Sequence, residues 1–184
     1  MSKRTPGANR PGQTKRPGSG RGAARGAGAA ATPATTALSR AGIPFTSHAY
    51  EHDPAVTAYG AEAARELGVD EARVFKTLLA DADGRLVVGI VPVSRQLDLK
   101  ALATAVGAKR AALADPAAAE RKTGYVVGGI SPIGQKSRLS TVLDASASAH
   151  ETVYVSGGRR GLDLELAPAD LLAITGGRLA LIAR

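Results

Sequence analysis

The chain contains no cysteine. That excludes disulfides, thiolate–metal sites and a cysteine nucleophile, and it fits a reducing compartment. No apolar run approaches the roughly 20 residues that span a bilayer. The N-terminus has no apolar stretch of the kind that precedes secretory cleavage, so the expected location is the cytoplasm. Nor is there any acid in the first 31 positions, which hold Lys3, Arg4, Arg10, Lys15, Arg16, Arg21 and Arg25. All but one unit of the formal +8 charge lies there. The segment is rich in Gly, Pro, Ser and Ala and has no aromatic or branched aliphatic residue. Too little apolar surface is present to offset the entropy of ordering it. Residues 1–31 are therefore expected to be a disordered basic tail, and a flexible polycation attracts polyanions, RNA foremost. Residues 32–184 remain, enough for one domain with its own core.

Within that domain, Thr32-Pro33 reads as a cap and first-turn proline, opening a helix to about Arg40. A short strand comes next at Phe45–Tyr50, then a helix at Ala61–Leu67 stopped by Gly68. Val74–Leu79 and Leu86–Val93 read as strands joined by the Asp81–Gly84 turn. Asp98 caps a helix to about Val106, and Asp115-Pro116 opens another to Lys122. Strands are expected at Tyr125–Val127, Thr141–Asp144, Thr152–Ser156 and Leu162–Leu166, then a helix at Pro168–Ile174 and a strand at Leu179–Ile182. The irregular alternation points to a mixed α/β domain and not to a doubly wound parallel sheet.

The segment Gly124–Arg138, GYVVGGISPIGQKSR, stands out. An apolar run feeds into Gly128-Gly129-Ile130-Ser131-Pro132, where two glycines permit a sharp bend and Pro132 stiffens the chain after it. Such a loop presents backbone N–H groups to a ligand, or simply turns the chain. Lys76 lies inside an apolar strand, as a pocket cation or on the solvent face. His48 and His52 are four apart, a spacing that suits a metal only on a helix, and Pro54 argues against one; no metal is expected. His52-Asp53 permits proton transfer, but no companion nucleophile is evident. Gly129-x4-Gly134-Gln135-Lys136-Ser137 nearly matches a P-loop, with its lysine one place late, so ATP is rejected. Lys136 and Arg138 remain phosphate candidates. Ser156–Asp163 is a second glycine-rich turn, either a solvated tip or a phosphate contact at Arg159 or Arg160 with Asp163 in a pocket.

Five ordered blocks resemble the YbaK-type aminoacyl-tRNA deacylases, free-standing relatives of the editing domain of bacterial prolyl-tRNA synthetases. They are Tyr50–Pro54, Val74–Leu78, Gln96–Lys100, Thr123–Lys136 and Tyr154–Asp163. The resemblance leaves out the tail and is greatest to the subgroup that hydrolyses Cys-tRNA(Pro). It implies a single α/β domain, a mixed and largely antiparallel sheet curled around a pocket and flanked by helices. It implies catalytic roles for Lys76, Gly128 and Gly129, with backbone N–H groups holding the carbonyl or its oxyanion. Tyr50, Ser131, Pro132 and Asp163 would bind substrate. It implies no cofactor. The partners would be tRNA(Pro) charged with cysteine and a prolyl-tRNA synthetase. In that subgroup the substrate's own thiol is thought to attack its carbonyl. The alternatives are a non-catalytic tRNA- or synthetase-binding module, and a water-based Ala- or Ser-tRNA deacylase.

Because the tail lies outside every matching block, it should add affinity and not catalysis. Deleting residues 1–31 should leave the fold intact and make tRNA binding weaker and less salt-dependent, since fewer counterions are released. Binding titrations at several salt concentrations check this. An unchanged slope after deletion would reject the tail as an RNA contact.

Overall fold

The computed structural model describes residues 1–2 and 31–184, so the expected tail lies, but for its ends, outside the described residues. The elements run α1 (Pro33–Ala41), β1 (Thr46–Ala49), α2 (Tyr59–Leu67), β2 (Val74–Ala82), β3 (Arg85–Pro92), α3 (Leu99–Ala105), β4 (Ala111–Leu113), α4 (Pro116–Thr123), β5 (Ser140–Asp144), β6 (Val153–Arg159), β7 (Leu162–Leu166), α5 (Pro168–Thr175) and β8 (Arg178–Ala180). The helices start where short polar side chains replace missing backbone partners. Thr32 and Thr35 cap α1 reciprocally, at 3.2 and 2.9 Å. Asp98 accepts the N–H groups of Lys100 and Ala101, both at 2.9 Å, and Asp115 accepts that of Ala118 at 2.9 Å.

The strands form one mixed sheet in the order β1-β7-β6-β2-β3-β5-β8, with β4 beside β2. The β1–β7, β7–β6, β2–β3 and β2–β4 pairs are antiparallel; β2–β6, β3–β5 and β5–β8 are parallel. Side chains alternate between two cores, as the pleat requires. Phe75, Val88, Ile90, Leu143 and Leu164 pack against Leu38 of α1, Ala119 of α4 and Leu171 of α5. Ala80, Val87, Val91 and Val142 pack against Leu102 of α3 and Ile182. Ala63 and Ala64 of α2 cover Val74 and Tyr154.

The feature that makes the site is a fork. One edge of β2 pairs with β3 from Phe75 to Ala82. The other edge meets β6 only at Val74 and Phe75, and β4 only at Ala80–Ala82. Among the described residues, Lys76–Leu79 have no strand partner on that side.

Three expectations change. Tyr125–Val127 is a turn and not a strand. Tyr125 is buried with its hydroxyl donating to Ile133 O at 2.7 Å, while Val126 and Val127 are exposed. The apolar run resembles a strand but meets no neighbour. The strand β4 was not expected, because Ala111-Ala112-Leu113 carries no β-branched signal. The last strand closes at Ala180, since Asp144 Oδ2 takes the N–H groups of Ile182 and Ala183, each at 2.8 Å, and turns the chain away.

The Gly124–Arg138 loop is docked onto α1. Gly134 has φ +69°, and a Cβ there would sit 2.5 Å from Pro33 O. Gly134→Ala should therefore cost about 2 kcal/mol or more of stability through strain and overpacking, as read from denaturant unfolding. A variant as stable as the parent would mean that the loop and α1 move apart freely.

Candidate active site

A cavity of about 450 Å³ opens at the fork. Its floor is the unpartnered stretch of β2. Its walls are Tyr50 after β1, Tyr59 and Gly60 of α2, Leu113 of β4 and Ala114 after it, Val127, Gly128 and Ile130 of the loop, Ser156 of β6 and Asp163 of β7. Lys76 and Thr77 both reach it, although successive residues of a strand point to opposite faces. They can do so because the cavity lies beside the strand and not over one face. Most of the lining is apolar, so each polar group in it acts in a medium of low polarity.

Those polar groups have few partners. Lys76 is half-buried, its Nζ 3.4 Å from Val93 O, and it forms no ion pair among the described residues. Loss of solvent pulls its ammonium below the usual lysine value, against a smaller opposing effect of Glu71. Thr77 Oγ1 is buried with no hydrogen-bond partner among the described residues. Asp163 is 6% exposed, and burial raises its carboxyl to about 6, with His48 opposing. Burial, then the charge of Asp163, pushes the Tyr50 phenol far up, so it stays a neutral hydroxyl.

The loop residues divide. Gly128 lines the cavity with φ +86°, and its N–H has no partner among the described residues. A Cβ at Gly128 would meet the Tyr59 ring at 2.7 Å and Arg160 Nε at 2.9 Å. Gly129 does not line the cavity: its N–H is given to Val126 O at 2.9 Å, and its α-carbon packs on the Arg159 backbone. This corrects the expectation of a second N–H donor there. Ser131 and Pro132 are buried behind the wall and not in it. Ser131 Oγ accepts the Ile133 N–H at 3.2 Å, and its carbonyl accepts Gln135 Nε2 at 2.9 Å, so they brace the loop.

The remaining candidates lie elsewhere. His52 Nδ1 meets the buried Glu62 at 2.7 Å, and His48 Nε2 meets Glu165 at 2.9 Å, so the histidines serve different carboxylates. Lys136, Arg138 and Arg159 are exposed and outside the wall. Sequence reasoning missed Tyr59, Thr77 and Ser156 as wall residues. Thr77 was hidden by strand alternation beside Lys76. Tyr59 lies just before the expected start of its helix, and Ser156 looks like one residue of a turn.

The profile of a family described as the aminoacyl-tRNA editing domain matches residues 52–174. The candidate Cys-tRNA(Pro)/Cys-tRNA(Cys) deacylase EbsC of Enterococcus faecalis is 40% identical over 118 residues, 64% of this chain and 72% of that protein. A proline–tRNA ligase of Moorella thermoacetica is 36% identical over 74 residues, 40% of this chain and 13% of the ligase. A crystal structure of a candidate trans-editing enzyme for prolyl-tRNA synthetase superposes with a TM-score of 0.72 at 25% identity, covering 85% of this chain and 99% of that one.

Among the described residues the Asp163 carboxylate has no hydrogen-bond or ion-pair partner, and this has a consequence for stability. Its folded value, about 6, exceeds the ordinary 3.8, so its ionisation opposes folding. The penalty is absent below the ordinary value and grows as pH rises from there through about 6. Two units correspond to about 3 kcal/mol as an upper bound. Asp163→Asn should therefore stabilise the protein at pH 7.5, and much less at pH 4, in denaturant melts. A less stable variant at pH 7.5 would show that the carboxylate is paired.

Proposed function

Since this chain belongs to the aminoacyl-tRNA editing domain family and is a YbaK-type aminoacyl-tRNA deacylase, we propose that it acts in trans on tRNA(Pro) mischarged with cysteine. One observation carries the reading: a single mostly apolar cavity brings together a cation, a carboxylate and a backbone N–H, none of them paired with an opposite charge or acceptor among the described side chains. The aminoacyl end of a tRNA offers the complement of each. Its α-ammonium suits Asp163. Its carbonyl, and the oxyanion that develops there, suits the Gly128 N–H. Its ribose and terminal phosphate suit Lys76. The cavity falls in the size range of small-ligand sites.

The protein's own groups favour a route without a protein nucleophile. Ser156 Oγ accepts the Gly158 N–H at 3.3 Å, and neither His48 nor His52 is hydrogen-bonded to it. An aminoacyl ester is already activated. The substrate thiol attacks its own carbonyl carbon, the C–S bond forms, the ester C–O bond breaks, and the thiol proton ends on the departing ribose oxygen. Water then opens the resulting thiolactone to cysteine. The protein's part is to hold thiol and carbonyl together, so proximity supplies much of the rate. The charged tRNA comes from a prolyl-tRNA synthetase, and the reaction takes place in the cytoplasm. No helix among the described residues is long and apolar enough to cross a membrane.

The test is deacylation of Cys-, Ser-, Ala- and Pro-tRNA(Pro) by the parent and by Lys76→Ala. Cys-tRNA(Pro) should be cleaved far faster than Ser-tRNA(Pro), whose hydroxyl is similar in size but a poorer nucleophile. Comparable rates would replace thiol assistance with a bound water. Lys76→Ala should lose on the order of 10²-fold or more in rate, as when a positioned electrostatic contact is removed. Activity within about threefold of the parent would remove Lys76 from the site.

A further inference from the structure

Arg160 was a candidate phosphate contact from sequence, yet its guanidinium is engaged with the protein. Its Nε and Nη2 both donate to Val127 O, at 3.2 and 2.9 Å. Its guanidinium carbon lies 5.0 Å from the centre of the Tyr59 ring. It has no acidic partner among the described residues.

The carbonyl it holds belongs to a particular peptide. Val126–Gly129 is a tight turn closed by the Gly129 N–H on Val126 O at 2.9 Å. Gly128 has φ +86°, and Val127 is not among the positive-φ residues. That combination is a type II turn, which differs from type I mainly by a flip of its central peptide. The central peptide here is Val127–Gly128. Its C=O is the group Arg160 grips, and its N–H is the unpartnered one at the cavity wall. In a planar trans peptide these two bonds point in opposite directions. Fixing the carbonyl therefore fixes the direction of the N–H.

A second grip secures the same residue from the other side. The Val127 N–H donates to Glu120 Oε1 of α4 at 2.8 Å. Behind Arg160, Tyr59 lies against His52, ring centres 5.6 Å apart, and His52 is held by the buried Glu62. The chain of contacts runs from the buried acid of α2 out to the turn.

We propose that Arg160 is a positioning residue, locking the Val127–Gly128 peptide so that the Gly128 N–H faces the substrate carbonyl. A guanidinium on the carbonyl oxygen also polarises the peptide and makes its N–H a stronger donor. An ammonium cannot replace it, because a lysine offers neither two parallel donors nor a planar face for Tyr59. The inference rests on the cavity being the ester-cleaving site.

The test uses Arg160→Ala and Arg160→Lys of the full chain, with two substrates, Cys-tRNA(Pro) and the phosphate-free cysteinyl ester of adenosine. Arg160 is exposed, so both variants should fold. Positioning requires kcat to fall on the order of tenfold to a hundredfold on both substrates, with KM within about twofold, and no rescue by lysine. A change in KM, confined to the tRNA substrate and restored by lysine, would overturn the proposal in favour of a phosphate contact. The amide resonance of Gly128 gives a readout independent of catalysis and should shift or broaden in both variants; an unmoved resonance would also overturn it. If the parent cleaves neither ester, the substrate reading fails, and the amide resonance alone decides whether Arg160 locks the peptide.

Discussion

Everything in the site depends on a strand that runs out of neighbours. Strand β2 is nine residues long, and its partners on one edge serve only its two ends. A fully paired β2 would close the sheet over Lys76–Leu79 and leave no cavity. Parallel strand β6, paired along its other edge with β7, meets β2 only at Val74 and Phe75, and a bulge between Ser156 and Arg159 then bends it. Three-residue β4 arrives from the opposite end. The space between is bounded by strand edges, which explains how side chains from both faces of β2 reach it. It is roofed by the glycine loop, which α1 and the β6–β7 turn hold in place.

That roof is assembled by close backbone approach. Gly134 sits on the first turn of α1, and Gly129 on the Arg159 backbone. Thr32 Oγ1 donates to Gly157 O at 2.6 Å, so the start of α1 is tied to the same bulge. The first turn of α1, the glycine loop and the β6–β7 turn form one mutually supported unit. It also places the root of the basic tail beside the loop that roofs the cavity.

Features governed by local chemistry were readable in the sequence. The caps at Thr32, Asp98 and Asp115 follow from orphaned N–H groups at helix starts, and each is found where expected. The β2–β3 hairpin followed from the Asp81–Gly84 turn signal, although β2 continues to Ala82 and the turn itself is only Asp83-Gly84, both with positive φ as a two-residue hairpin turn demands. Features governed by distant partners were not readable. Whether Tyr125–Val127 joins the sheet depends on which strand lies alongside, and none does. Gly128 and Gly129 look equivalent in sequence. They differ because one N–H closes a turn and the other is left over, and that is decided by a turn type and by an arginine more than thirty residues away. Lys76 was ambiguous by alternation alone, because its environment is set by the fork.

The unpaired polar groups of the cavity also bear on selectivity. A buried polar group without a partner carries a desolvation penalty that a matching ligand removes. Under the proposed function Asp163, Thr77 and the Gly128 N–H, together with Lys76, whose ammonium is held only by Val93 O at 3.4 Å, favour a ligand that supplies an ammonium, a carbonyl and a ribose-phosphate together. Every aminoacyl-tRNA supplies those three. On that reading these groups fix where the ester lies, but they cannot tell one amino acid from another. The apolar wall offers little more, because a difference of one methylene-sized group in such a pocket changes binding by only about 1–3 kcal/mol. Under the proposed reaction the missing discrimination comes from the substrate, since a thiol held against its own carbonyl reacts where a methyl or hydroxyl does not. Under that reaction the protein needs only to hold the ester rigidly, and a peptide roof locked as proposed, over a forked strand, would do so without contributing a nucleophile.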